Sequence, residues 1–221
     1  MAGKTGYENV FGWLIELCKW VWFPPKKSDF MVSAKGAKPA THPYKELYAT
    51  NDESFSETRI GFCFPWSLLI QDRKTGYKKG PVTREEFDEK RKVTRVDMKT
   101  GATTWTNVYR YFMERNYKIE LLSVDDDTTD AVNYAAVKAN EGSLVFLTLE
   151  VMWGADPATG YKGVQYGHIE AVLGLENGNV ITNSWGEKAV CPVAPYLKHP
   201  KFAYYSVVEA TIHLMICTPP K

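Results

Sequence analysis

Tyr166-Gly167-His168-Ile169-Glu170-Ala171-Val172-Leu173-Gly174-Leu175, followed by Asn183-Ser184-Trp185-Gly186, is the stretch on which the fold turns. It puts a histidine at the start of one apolar strand and an asparagine at the end of the next. Between the strands lies Glu176-Asn177-Gly178-Asn179, and Asn-Gly is the strongest short-range hairpin signal because both residues tolerate positive φ. Closing that hairpin predicts His168 and Asn183 side by side. Upstream, Gly61-Phe62-Cys63-Phe64-Pro65-Trp66-Ser67 leads into Leu68, Leu69 and Ile70, which reads as a helix beginning at about Cys63.

Working outward, Thr83 with Glu86 forms a capping box for a short helix around Phe87. A further helix is expected across Thr104 to Asn116, with Trp105, Val108, Tyr109 and Phe112 on one face, and another from Thr129 to Ala139, ended by Gly142. Asp125 to Asp127 read as residues favoured ahead of a helix N-terminus, not as a metal site. From Ser143 the pattern changes to strands. Leu144 to Met152 is a long apolar run, Ile169 to Leu175 and Val180 to Asn183 make the hairpin, and Phe202 to Cys217 supplies one or two more. Helices first and a mostly antiparallel sheet afterwards is an α+β fold.

With 221 residues, the chain has room for a core domain over 43–221 behind an N-terminal extension over 1–42. A net charge of +1 argues against a nucleic-acid binder, which would show a basic face. Residues 7–23 are aromatic and apolar, with Glu8, Gly12, Glu16 and Lys19 on one narrow helical stripe. Such a helix is about 25 Å long, short of a ~30 Å hydrocarbon core. It reads as a docking helix for a protein partner, an interfacial helix at a membrane surface assisted by Lys26, Lys27, Lys35 and Lys38, or a segment folded back on its own domain. Pro24-Pro25 stops it, and a Lys/Ala/Pro linker follows to about Pro43. Cys18, Cys63, Cys191 and Cys217 fit neither a C-x-x-C metal pattern nor a disulfide scaffold, and Cys217 reads as a buried free thiol. Glu16 and Lys19 interrupt the only candidate signal segment, so a reducing compartment is expected.

A cysteine opening a helix, then Gly-His at a strand, then Asn-Ser-Trp-Gly one hairpin later resembles the papain-like cysteine peptidase family over roughly residues 50–217. The resemblance implies a helical half carrying Cys63 packed on a β half carrying His168 and Asn183. It implies peptide-bond hydrolysis through a Cys63 acyl-enzyme, with His168 as general acid and base, Asn183 orienting the imidazole and Trp185 covering that bond. It implies a polypeptide substrate, no cofactor and no metal, and makes residues 1–42 a candidate pro-segment. The residues carry the same chemistry on their own terms. The thiolate is the nucleophile, and both a helix N-terminus and an imidazolium favour it. Pro65 suits a first helical turn, where its missing N–H costs nothing.

Two positions depart from the family pattern. Cys63 is followed by Phe64-Pro65-Trp66-Ser67, where the family has a Cys-Trp-Ala-Phe-like sequence. Six residues before the cysteine, the family's oxyanion-binding glutamine is replaced by Glu57. An ionised carboxylate has no hydrogen to donate, and losing one oxyanion donor typically costs about 10²–10³ in rate. A protonated Glu57, a donor from Ser56 or Thr58, or Asn51 reaching in would each restore it. The alternative is a catalytically silent papain-like domain, acting as a structural or binding component docked through its N-terminal helix.

Overall fold

The computed structural model describes residues 24–34, 62–97, 102–124, 128–153, 164–176, 179–184, 187–192 and 207–221. The expected helix at 7–23, most of the linker, Glu57 with its neighbours Asn51, Ser56 and Thr58, the aspartates 125–127, the Asn177-Gly178 turn and Trp185 lie outside them.

After a 3-10 turn at Lys27–Phe30, three helices follow: α1 (Cys63–Lys74), α2 (Arg84–Val93) and α3 (Trp105–Met113). Next come β1 (Lys118–Ser123), α4 (Thr128–Asn140) and five strands: β2 (Leu144–Trp153), β3 (Val164–Glu176), β4 (Asn179–Ser184), β5 (Glu187–Pro192) and β6 (Val207–Thr218). The strands form one sheet in the order β1-β6-β2-β3-β4-β5, with every neighbouring pair antiparallel. The fold is α+β. Its last strand is an inner one, since Leu214 of β6 pairs with Leu122 of β1 on one side and Leu147 of β2 on the other.

Strand alternation divides the core into two layers. Val145, Leu147 and Leu149 of β2 face Ala131, Val132, Ala135 and Ala136 of α4. On the other face, Phe146 meets Phe64 and Leu68 of α1 and Phe112 of α3, while Ala171, Leu173 and Ile181 meet Trp66, Leu69 and Phe87. Helix α2 begins with the expected capping box: the Thr83 hydroxyl accepts from the Glu86 N–H, and the Glu86 carboxylate accepts from the Thr83 N–H. Helix α4 stops at Gly142, whose φ of +94° is a left-handed turn that a side chain resists.

Three strand expectations change. β1 and β5 were not foreseen: Lys118–Ser123 is short, with a buried Glu120 where alternation expects an apolar residue, and Glu187–Pro192 is a short edge strand. β3 begins at Val164, so His168 lies inside the strand instead of at its start. The cause is its partner: β2 runs on to Trp153, and Leu149 to Trp153 pair with His168 back to Val164.

Helix α1 is buried nearly all round from Phe64 to Gln71, as expected of a helix enclosed by other elements. Its polar residues lie along one stripe, and that stripe follows β3. The Ser67 hydroxyl donates to the Ile169 carbonyl at 3.0 Å, and the Lys74 ammonium donates to the Val172 carbonyl at 2.7 Å. Between them, Gln71 Nε2 donates to the carbonyls of Val145 and Val172, where the β2–β3 ladder stops. Gln71→Leu should therefore destabilise the protein by about 1–3 kcal/mol in urea unfolding, because it strands a buried carbonyl. Burial of the added apolar surface alone would make the same variant more stable, so the sign of the change decides.

Candidate functional site

Cys63 is the first residue of α1 and is half-buried. Phe62, at the N-cap, offers no side-chain hydrogen bond to the first turn. The opening N–H groups of a helix have no partner within it, and the Phe62 side chain takes none of them up. One turn apart along the helix, Cys63 and Ser67 belong to the stripe that meets β3. The hairpin partner β4 pairs with β3 only from Ala171 to Glu176. The half of β3 that carries His168 therefore has β2 alone beside it among the described strands, and Cys63 lies close enough to the His168 imidazole to raise its proton affinity.

His168 and Glu170 are each 1% exposed, and the imidazole Nε2–H donates to Glu170 Oε1 at 3.0 Å. Two residues apart on one strand, they share a face. Thr182, opposite Val172 on β4, donates its hydroxyl to Glu170 Oε2 at 2.5 Å. Asn183, opposite Ala171, is buried beside α1, and its Oδ1 accepts from Trp66 Nε1 at 3.2 Å. The structure thus brings Cys63 and His168 together. It places Glu170 at the imidazole Nε2, where the sequence predicts Asn183 as the group that orients the ring, and Asn183 ties β4 to α1 through Trp66.

Two buried histidines show what the partners do. Burial pulls the His168 imidazole down, but neighbouring Cys63 and the Glu170 carboxylate that accepts its Nε2–H outweigh it and hold the group up at about 9. His213 is buried too, and its charged neighbour is Lys27; burial and that like charge lower it to about 4. The site therefore keeps a protonated imidazole at neutral pH beside a thiol at a helix N-terminus. Among the described residues, no three His, Cys, Asp or Glu side chains are grouped to hold a metal ion.

Glu170 received no role in the sequence reading, although the signal was there. A charged residue inside Ile169 to Leu175 must be either exposed or paired, and the residue on the same strand face nearest to it is a histidine. No protein-family model matches the chain, and no curated protein matches it.

The raised imidazole has a thermodynamic consequence. Its folded-state value of about 9 exceeds its ordinary 6.5, so its contribution to stability is complete below about pH 6.5 and disappears as pH rises through about 9. Unfolding free energy measured in urea should decline across that window, and the His168 ring proton resonance should titrate near pH 9. A ring titrating near 6.5 would contradict this site geometry.

Proposed function

We propose that this chain is a cysteine peptidase of papain-like fold that hydrolyses peptide bonds through an acyl-enzyme on Cys63. The observation that carries the proposal is the placement of Cys63 at the start of α1 beside the buried His168 imidazole, whose proton affinity it raises. The α+β architecture and the Asn-Ser-Trp-Gly segment support the same reading.

In this mechanism the proton of the thiol resides on His168. The thiolate sulfur attacks the peptide carbonyl carbon, and the developing oxyanion is met by N–H groups of the first turn of α1, which point along the positive end of the helix dipole. Collapse of the tetrahedral intermediate breaks the C–N bond, and the His168 imidazolium protonates the departing amine. The now neutral imidazole takes a proton from water as that water attacks the thioester. Collapse of that second tetrahedral intermediate breaks the C–S bond, the acid product leaves, and Cys63 and His168 return to their starting state. Asn183 contributes by fixing Trp66, which seats α1 and with it the nucleophile.

Cys63→Ala should lower hydrolysis of an unfolded protein substrate or a fluorogenic peptide amide by at least about a thousandfold. The fold should survive, since the replaced thiol is only half-buried. Hydrolysis persisting in purified Cys63→Ala at the wild-type rate would end this reading.

A further inference from the structure

We infer that Glu170 is the positioning residue of this site: its buried carboxylate, held by Thr182, fixes the ring of His168 so that the remaining nitrogen faces Cys63. The catalytic part of this inference rests on the peptidase reading; the structural part does not.

Four observations carry it. Glu170 Oε1 is 3.0 Å from His168 Nε2, and both side chains are closed to solvent. With Nε2 taken, Nδ1 is the nitrogen left for the thiol. The second carboxylate oxygen is not idle, because the Thr182 hydroxyl donates to it from the neighbouring strand. That bond sets the carboxylate plane, and the carboxylate in turn sets the imidazole plane. Finally, the amide oxygen of Asn183 accepts from Trp66, so it serves the helix seat.

The chemistry differs from that of an amide in the same role. An amide oxygen orients an imidazole without a net charge, whereas a carboxylate also stabilises the imidazolium. The groups acting on this ring are Cys63 from α1 and Glu170 from its own strand. Across β2 its partner is Leu149, and Thr182 on β4 is neutral. Removing the Glu170 charge therefore leaves the thiol as the one acidic neighbour among these. A carboxylate that holds the proton on His168 extends the pH range over which the leaving amine can be protonated.

The test compares Glu170→Gln with Asn183→Ala on the full chain. Glu170→Gln keeps an oxygen acceptor at nearly the same place and deletes the charge. It should move the His168 ring titration, followed by NMR, down by a unit or more, a tenfold or greater loss of proton affinity. The alkaline limb of kcat/KM on a peptide amide should move down with it, with kcat reduced and KM held. Asn183→Ala should leave the titration within a few tenths of a unit of wild type. An unmoved titration in Glu170→Gln, or an equal displacement in Asn183→Ala, overturns the inference. If Glu170→Gln does not fold, ¹⁵N-labelled histidine in the wild type decides. A strongly deshielded Nε2 proton supports the carboxylate bond, and an ordinary imidazole shift refutes it. Because the ring titration needs no substrate, a shifted ring in a chain without peptidase activity would sink the peptidase reading and keep this one. Full activity with an unshifted ring would do the reverse.

Discussion

The seam between α1 and β3 is the constraint from which the site follows. A helix buried on nearly every side has no solvent-facing stripe to accommodate polar residues, so Ser67, Gln71 and Lys74 direct their donors at strand carbonyls. Each such bond contributes about 0.5–1.5 kcal/mol net, yet each buried carbonyl left without its donor would cost about 1–3 kcal/mol. That asymmetry fixes the helix in register along β3. The register in turn determines which residue of β3 the helix start meets, and that residue is His168. Trp66, fully buried and bonded to Asn183, holds the same helix against β4.

The second constraint is electrostatic. Moving an imidazolium and a carboxylate out of water costs several kcal/mol per ion, and their attraction repays this only with good geometry and with the remaining lone pairs satisfied. Both conditions hold here: the pair is at 3.0 Å, and Thr182 occupies the other carboxylate oxygen. His213 shows the opposite balance in the same sheet, where burial beside a lysine favours the neutral ring. Removing one member of a buried pair typically costs about 3–5 kcal/mol, so stability and the protonation state of the site are linked through the same two side chains.

Much of this was legible in the sequence. The helix start at Cys63, the capping box at Thr83 and Glu86, and the close of α4 at Gly142 are local features, and local chemistry decides them. The hairpin also follows from periodicity, with Glu176 paired to Asn179 across its connection. β1 was hidden because its buried Glu120 breaks alternation; that carboxylate is bonded to Lys118 and to the Tyr134 hydroxyl, partners that no local pattern reveals. The histidine's partner was obscured for a different reason. A bulge between Val172 and Gly174 changes the hairpin register, so Asn183 pairs with Ala171 and turns to Trp66. Periodicity places a residue on a strand but does not count an extra residue in its partner.

The central claim is that Cys63 and His168 act as one nucleophile–acid pair. The most direct test is the rate of Cys63 alkylation by iodoacetamide at neutral pH, read by mass spectrometry, in wild type and His168→Gln. The account predicts modification of the wild type at least about tenfold faster than of the variant. Equal rates in the two would contradict it.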